Sequence, residues 1–356
     1  MEAKMKSQEH QEEEEEEDAQ LEMWKYVFAF APIAVLKCAI ELQISETVER
    51  HGGSIMLPEL STALGCSPSA LYRIMRYLIH HGFFKQTRMI RDQESSVCYS
   101  QTPRSRLLLK DGMAALILLQ SIPEALGPWH GLSRRALLND DSASEASHGG
   151  ADLWEHAVAN PDHNKLFNDA MACHAKVAMS AIIKQYPEVF EGIRALVDVG
   201  GGDGTALNTL VKACPWIRGV NYDRPHVISM APRLEGVEHV GGDMFEMVPK
   251  GDAIFLMWVL HNWGDEECIR ILRNCMGAIP KDKGKVIIVD AVVKEGEGED
   301  EYSKIHLAQD MVMIAFMEKG KERTSKEWEY LLNEAGFTKY TVKDTKTIVS
   351  VIEAYA

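Results

Sequence analysis

Apolar side chains recur at helical spacing through the first half of the chain, from residue 22 to about residue 186. Residues 58–64 and 68–81 predict two short helices joined by a tight turn at Gly65. The stretch that follows them, residues 83–102, predicts a hairpin. A helix, a tight turn, a second helix and a hairpin in this order indicate a winged-helix domain.

The pattern changes near residues 187–193, beyond which short apolar runs alternate with helical segments. Buried strands are expected at 195–199, 219–222, 253–260 and 285–293, and helices at 205–213, 227–234 and 266–278. Apolar strands that alternate with helices are typical of a doubly wound parallel sheet, so the predicted fold class is α/β. Because ligands of such sheets bind at the carboxyl ends of the strands, the chemistry is expected there.

The acidic charge is concentrated near the beginning of the chain. Residues 1–22 hold ten acidic residues and two lysines, while the whole chain has a formal net charge of −15. The glutamate run in this segment has no apolar period, so residues 1–21 are expected to form a disordered leader. An acidic protein is a poor partner for nucleic acid, although Arg73 and Arg76 on the second predicted helix keep a DNA-binding alternative open.

Length and composition fit two domains, since the chain has 356 residues and an apolar fraction of 46%. The seven cysteines include no C-x-x-C pair, and no secretory segment is found near Met1, so reduced thiols in a cytoplasmic protein are expected. Every apolar stretch of eighteen residues is interrupted by charge, so neither a membrane segment nor a membrane partner is expected.

A glycine-rich loop directly follows the first strand predicted in the second half, in the sequence "LVDVGGGDGT". Gly200 and Gly202 have the spacing of a dinucleotide fingerprint, but Thr205 stands where that fingerprint has its third glycine. Asp203 would also repel a pyrophosphate at the next helix N-terminus. The expected ligand is therefore a nucleoside with a cationic tail and no phosphate, with Asp223 on its ribose. S-adenosylmethionine fits this description.

Six motifs in order, "LVDVGGGDGT", "NYDRPHV", "VEHVGGDMF", "LHNWGDEEC", "KVIIVD" and "GKERT", resemble the plant small-molecule O-methyltransferases of caffeic acid, flavonoids and benzylisoquinoline alkaloids. The resemblance covers residues 22–356. It implies a Rossmann-like methyltransferase domain at 189–356 that uses S-adenosylmethionine. It also implies a mainly helical winged-helix domain at 22–188, which makes a homodimer and covers the substrate.

The resemblance assigns cofactor contacts to individual positions. It places Gly200 and Gly202 around the methionine portion and Asp223 at the ribose, and it places Asp243 and Met244 at the adenine. Asp223 and Asp243 each also fit an ordinary turn acid. Three positions depart from the family pattern. Met257 replaces a lysine found in many members, Asn262 replaces an acid after the histidine, and Arg224 replaces an apolar residue.

The candidate general base is His261, which follows the strand predicted at 253–260. A phenol, with a pKa of about 10, must lose its proton to attack a methyl sulfonium, and a histidine with a pKa of about 6.5 can accept it. By resemblance Asp290 and Glu322 are the acids that align the ring. Alternatively, Asp290 is a buried structural acid and Glu322 forms a surface ion pair with Arg323. No metal is expected.

The resemblance also implies an apolar and aromatic acceptor pocket. Its candidate residues are Phe167, Met171, Trp258, Met313, Phe316 and Met317. Methionine adapts to planar rings of irregular outline, which suits a phenolic acceptor. An ordinary helical core stripe would explain the same residues.

The sequence thus predicts a cytoplasmic, homodimeric enzyme that transfers a methyl group from S-adenosylmethionine to a phenolic hydroxyl of a plant secondary metabolite. Flavonoid, phenylpropanoid, stilbenoid and alkaloid acceptors all fit. Met257 and Asn262 motivate a competing hypothesis, a cofactor-binding partner subunit without activity. An N-methyltransferase and a DNA-binding regulator also stay open as hypotheses.

Overall fold

The computed structural model describes residues 2–91, 94–138, 161–296 and 300–356. Within these residues the chain divides into two compact units, Met1–Ile122 and Pro123–Ala356. The domain boundary expected at residue 189 is therefore wrong, and the physical reason lies in the packing of one long helix of the second unit.

The first unit is mainly helical with a small antiparallel sheet. Its helices are α1 (Glu2–Val27), α2 (Phe30–Glu41), α3 (Ile44–Arg50), α4 (Leu57–Leu64), α5 (Pro68–His80), α6 (Pro103–Arg106) and α7 (Ala114–Leu119). Its strands β1 (Ser54–Met56), β2 (Phe84–Arg91) and β3 (Glu94–Gln101) lie in the order β1-β3-β2. The predicted helix–turn–helix is α4 and α5, and the predicted hairpin is β2 and β3.

Local signals set the ends of these two helices. Gly65 ends α4 in the left-handed conformation, with φ +64°, which glycine adopts without a Cβ clash. Pro68 occupies the first position of α5, where its missing N–H costs nothing. Leu71, Met75 and Leu78 form the buried stripe of α5 and lie in the core of this unit. The apolar stripe of α5 therefore serves packing.

The acidic leader is helical in the structure, as the first part of α1, and the prediction of a disordered segment is wrong. Glutamate, glutamine, lysine and alanine are strong helix formers. The Gln11 side chain also donates a hydrogen bond to Glu15 one turn later, at 3.3 Å. Residues 10–21 are exposed throughout, so intrinsic propensity rather than a packed face accounts for this helix.

Apolar side chains are exposed where α1 passes into α2. Trp24, Tyr26, Phe28 and Phe30 are all more than half exposed. Among the described residues, the helical stretch His10–Glu41 is long and apolar enough to cross a membrane, contrary to the expectation of no such segment. Length and composition alone do not distinguish a membrane segment from a helix that packs against another chain.

The second unit has a sheet whose described strands are ordered β11-β12-β8-β7-β4-β5-β6. These are β4 (Ala195–Val199), β5 (Arg218–Asp223), β6 (Val237–Gly241), β7 (Ala253–Met257), β8 (Lys285–Asp290), β11 (Lys339–Asp344) and β12 (Ser350–Tyr355). Strands β4 to β8 are parallel, as predicted, but β11 and β12 pair antiparallel, so the sheet is mixed. A separate parallel pair joins β9 (Val292–Val293) to β10 (Arg323–Thr324).

Helices cover both faces of this sheet. The described helices of this unit are α8 (Pro123–Leu126), α9 (Leu132–Leu138), α10 (Pro161–Gln185), α11 (Thr205–Ala213), α12 (Pro225–Met230), α13 (Asp265–Ala278), α14 (Glu301–Phe316) and α15 (Ser325–Ala335). On one face Ala178, Met179 and Ile182 of α10 share a core with Leu207 and Leu210 of α11. This packing ties α10 to the second unit and places the boundary before it.

Candidate functional site

Side chains pack closely against one side of the glycine loop after β4, and the other side is open. Gly200 and Gly202 have φ values of +71° and +57°, which favour glycine. A Cβ on Gly200 would lie 2.7 Å from Val259 Cγ2, and one on Gly201 would lie 2.1 Å from Asn221 Oδ1. A Cβ on Gly202 would meet no atom within 4 Å. The open side at Gly202 gives a ligand access to the backbone.

Asp223, at the end of β5, holds this loop. Its Oδ2 accepts a hydrogen bond from Gly202 N at 2.9 Å, and its Oδ1 accepts one from Arg224 N at 2.6 Å. Because β4 and β5 are adjacent and parallel, their carboxyl ends lie at the same edge of the sheet. A carboxylate has about four acceptor sites, so Asp223 can hold the loop and still accept from a ribose.

Asp243 and Met244 follow β6, the next strand along the same edge. Asp243 is exposed and accepts a hydrogen bond from Phe245 N at 2.8 Å. Met244 is half-buried against the core. Met257, at the end of β7, is buried in the core on the opposite face. Met257 therefore packs in the hydrophobic core.

Two buried acceptor atoms lie behind the glycine loop, Asp198 Oδ2 and Asn221 Oδ1. Neither has a hydrogen-bond partner within the described residues. Burial, followed by the charges of Asp223 and Asp203, raises the pKa of Asp198 to about 8. A nearby cation would lower this pKa and pair with the ionised Asp198 carboxylate. Open space at Gly202 and the acids along the sheet edge therefore fit a cationic ligand with hydroxyl groups, such as S-adenosylmethionine.

His261 lies in a short 3-10 helix, Leu260–Asn262, that follows β7. Its Nδ1 is 2.9 Å from Glu322 Oε1 and 3.9 Å from Asp290 Oδ1. Both acids are buried, and the His261 side chain is 12% exposed. The three predicted residues therefore converge, with Glu322 as the direct partner. The alternative that Glu322 forms a surface ion pair with Arg323 is wrong.

Strand pairing explains this convergence of residues distant in sequence. Strands β7 and β8 are adjacent and parallel, so Asp290 at the end of β8 lies near the residues that follow β7. Strand β10 pairs with β9, which begins two residues after Asp290, and this pairing brings Glu322 to the same place.

The electrostatics of His261 follow from these neighbours. Burial lowers the pKa of His261, but the hydrogen bond to Glu322 and the charges of Asp290 and Glu322 outweigh it, so the net shift is upward. Burial, with the charge of Glu322, raises the pKa of Asp290, and the charges of His261 and Arg323 oppose that shift. The buried acids therefore favour the imidazolium form of His261.

A histidine that was not among the sequence candidates also belongs to this site. His174 on α10 stacks on Trp258, with ring centroids 3.7 Å apart and planes 23° apart. Burial and the charge of His261 lower the pKa of His174 to about 4, so its ring is neutral near pH 7. The signal was present, since His174 follows Phe167 and Met171 at helical spacing on one face of α10.

Trp258 has an unusual backbone conformation and a buried indole N–H. Its φ is +52°, a left-handed conformation that is strained for a bulky residue and is found mostly where surrounding structure imposes it. Its indole Nε1 and the His174 Nε2 are buried without a hydrogen-bond partner among the described residues. These two ring nitrogens are candidates for contact with an acceptor molecule.

The other acceptor candidates lie at the end of α14 and just after it. Met313 is buried, whereas Phe316 and Met317 are half-buried. Phe316 makes an edge contact with Trp129, with centroids 6.4 Å apart. A Cβ on Gly320 would lie 2.7 Å from Met317 Cβ and 2.8 Å from His261 O, which brings Met317 close to the candidate base.

The cluster around the base also has the composition of a metal site. Ligand atoms of His261, Asp290 and Glu322 lie within 4.8 Å of one another, a spacing that an ion could bridge. Two of these atoms, His261 Nδ1 and Glu322 Oε1, are already hydrogen-bonded to each other. The expectation that no metal is needed therefore stays a prediction.

Comparison with known proteins gives consistent matches over nearly the whole chain. An O-methyltransferase domain profile matches residues 133–338, and an O-methyltransferase dimerisation domain profile matches residues 24–111. A flavonoid 4'-O-methyltransferase of Ocimum basilicum is 46% identical over 94% of this chain and 96% of its own length. An acetylserotonin O-methyltransferase of Arabidopsis thaliana is 44% identical over 99% and 96% of the two chains.

A solved structure has the same architecture. CalO1, a methyltransferase in calicheamicin biosynthesis in its SAH-bound form, is 25% identical with a TM-score of 0.81. The match covers 95% of this chain and 98% of that one.

Proposed function

The chain belongs to the O-methyltransferase family, which uses S-adenosylmethionine, and we propose that it methylates a phenolic hydroxyl of a plant secondary metabolite. The observation that carries this proposal is the hydrogen bond between His261 Nδ1 and Glu322 at the same sheet edge as the glycine loop. Flavonoids are the acceptor class best supported, since several relatives at 44–46% identity are flavonoid O-methyltransferases. Phenylpropanoids and phenolic alkaloids fit the same chemistry.

In the proposed complex, Gly200 and Gly202 lie against the methionine portion and Asp223 accepts from the ribose hydroxyls. Asp243 and Met244 would contact the adenine, and Met257, which is buried in the core, offers the cofactor no charge. S-adenosylmethionine, when bound, supplies the methyl group as an electrophile for the acceptor oxygen; its methyl–sulfur bond breaks as the oxygen–carbon bond forms, and S-adenosylhomocysteine is the leaving group. The loop and the carboxylates fix the direction in which that group points.

His261 acts as the general base. An ionised Glu322 only accepts hydrogen bonds, so the hydrogen of a neutral His261 ring is held on Nδ1 and Nε2 is left as the proton acceptor. The phenol O–H gives its proton to Nε2, and the phenolate oxygen keeps the electron pair for the new bond to carbon. Glu322 at 2.9 Å and Asp290 at 3.9 Å stabilise the imidazolium that results.

The amide of Asn262 is compatible with this mechanism. Its Nδ2 donates a hydrogen bond to Trp258 O at 3.0 Å, which closes the turn that carries His261. A carboxylate could not donate this bond. The amide at this position thus adds a hydrogen bond within the turn that carries His261, which favours an ordered active site over that of an inactive partner subunit.

We also propose that the protein is a homodimer in the cytoplasm. The dimerisation-domain match covers the exposed aromatic side chains of α1 and α2, including Trp24, Tyr26 and Phe30. Light scattering of the intact protein should give twice the chain mass, and a monomer would contradict the dimer. The seven cysteines all lie in the described part of the chain and form no disulfide, which suits a reducing compartment. Recovery in the membrane fraction after cell lysis would contradict the cytoplasmic location.

The acceptor class is tested by mass spectrometry with matched substrates. The protein is incubated with S-adenosylmethionine and a panel of flavonoids, phenylpropanoids and phenolic alkaloids, each paired with an analogue whose free hydroxyls are already methylated. A gain of one methylene on the phenols, and none on the blocked analogues, is expected. Methylation of amines alone would contradict the proposal. Cofactor binding without any product would instead support an inactive partner subunit.

A further inference from the structure

Arg323 is a fully buried arginine beside the candidate base, and its guanidinium donates hydrogen bonds to a single turn. Its Nη1 donates to Leu260 O at 3.0 Å, and its Nη2 donates to Trp263 O at 2.8 Å. Its Nε and Nη2 also donate to Asp265 Oδ1, at 3.2 and 2.9 Å. Leu260, Trp263 and Asp265 belong to the 260–265 turn, the segment that carries His261 between its ends.

Hydrogen bonds also hold the backbone of the two residues that precede Arg323. Lys321 N donates to His261 O at 2.9 Å, and Glu322 N donates to Asp310 Oδ1 at 2.9 Å. Arg323 itself lies on β10, which pairs with β9 immediately beyond Asp290. The residue next to Glu322 thus reaches across to the turn that carries His261. Hydrogen bonds of the guanidinium thus join the segment that carries Glu322 to the turn that carries His261.

We propose that Arg323 is a positioning residue for methyl transfer, whose guanidinium holds the 260–265 turn at the separation that keeps His261 Nδ1 hydrogen-bonded to Glu322. This inference rests on the proposed role of His261 as the base. Arg323 is one residue from Glu322, so any displacement of the turn relative to Arg323 changes the 2.9 Å separation of His261 and Glu322.

The shape of the guanidinium explains why an arginine occupies this position. Its donors diverge in one plane, and here they reach two backbone carbonyls and a carboxylate at once. The guanidinium carbon also lies over the Trp328 ring, 5.8 Å from the ring centroid, within the range of a cation–π contact. A lysine would bring the same charge from a single nitrogen and could not span these three acceptors.

The charge of Arg323 also acts on His261, and this gives a readout that a purely structural role would not change. The charged or titratable groups facing His261 are Asp290, Glu322, Arg323 and the His174 ring. Among them Arg323 is the cation that lowers the pKa of His261. Loss of this charge should therefore raise that pKa, whereas a lysine in its place should leave it nearly unchanged.

Two variants separate the geometry from the charge. Arg323→Lys keeps the cation and loses the planar donors, and Arg323→Met removes both. The matched control is Arg273→Lys, since Arg273 is exposed and donates to one backbone carbonyl, Glu334 O. For each protein we would measure kcat, KM for both substrates, cofactor affinity by calorimetry, and the pH dependence of kcat/KM. Histidine-labelled NMR would follow the His261 ring directly.

Arg323→Lys should lower kcat by between about tenfold and a hundredfold, because small misplacements of reacting groups have effects of this size. Its cofactor affinity should stay within about twofold of the wild type, since the guanidinium bonds to the 260–265 turn and not to the glycine loop. Arg323→Met should lose kcat as well, and the acid limb of its pH profile should move to higher pH. Arg273→Lys should match the wild type.

Full kcat in Arg323→Lys would overturn the proposal, because charge alone would then suffice. A parallel loss of cofactor affinity and kcat would also overturn it, since that pattern indicates a general structural role. Asp265→Asn is a second variant, for use if the arginine variants do not fold. It keeps an oxygen acceptor for the guanidinium but removes the negative charge. It should therefore lose less activity than Arg323→Lys. Full activity in His261→Ala would refute the base itself, whatever the Arg323 variants do.

Discussion

Replacement of Glu322 by glutamine tests the direct partner of the base at nearly constant shape. Glu322 is 6% exposed, and its Oε1 lies 2.9 Å from His261 Nδ1. A glutamine oxygen can still accept from Nδ1, but it carries no charge to stabilise the imidazolium. Hydrogen bonds to charged groups contribute about 1.5–3 kcal/mol. Asp290, at 3.9 Å, keeps part of the stabilisation.

We therefore expect the activation free energy to rise by about 2 kcal/mol, which is roughly a 30-fold loss in kcat/KM. The pH profile separately tests the direction in which the pKa of His261 changes. Burial lowers the pKa of His261, and Glu322 is a main cause of its net rise. Without the Glu322 charge the pKa falls, so the acid limb of kcat/KM should move to lower pH in Glu322→Gln.

The assay is methyl transfer to a phenol found active in the panel, measured by mass spectrometry across the pH range. Glu329→Gln is the matched control, because Glu329 is exposed on the same segment of the chain and should leave both rate and profile unchanged. Unaltered kcat/KM and an unmoved acid limb in Glu322→Gln would refute the role of Glu322. Thermal unfolding checks that the variant is folded.

Three further predictions concern the cofactor, the leader and metals. Asp223→Ala should weaken S-adenosylmethionine binding with the fold intact, because it removes the loop hydrogen bond and the proposed ribose acceptor; calorimetry with an unchanged affinity would contradict this. Removal of residues 2–20 should leave kcat/KM unchanged, since the described side chains there are exposed, and a large loss would assign the acidic helix a role. Chelation with EDTA should leave the rate unchanged, and loss of the rate with restoration by a divalent cation would contradict the expectation that no metal is needed.

The sequence predicted the parallel strands of the second unit and the loop after β4 because apolar periodicity and glycine spacing are local signals. It did not predict that β11 and β12 pair antiparallel, since strand direction depends on connections far apart in the chain. The prediction of a disordered leader failed because the high charge of this segment was weighted above its helix propensity. The unit boundary was misplaced because a helix pattern does not say which core the helix joins.

In the candidate site, too, the sequence identified the residues but not the contacts that depend on strand pairing. Motif order predicted His261, Asp290 and Glu322, and the structure brings them together. The sequence did not distinguish which acid contacts the ring. Neither did it show that Arg323, next to Glu322, bonds to Asp265 and the neighbouring backbone. These choices depend on how β9 and β10 pair.

The most direct test of the central claim is single-turnover methyl transfer by His261→Ala beside the wild type, with cofactor and phenol prebound and the pH varied. The raised pKa of His261 predicts a wild-type rate that increases with pH through a limb above about 6.5, the ordinary value for histidine. The variant should bind S-adenosylmethionine normally, lose at least about a hundredfold in rate, and show no such limb. A variant with the wild-type rate and pH profile would show that His261 is not the base.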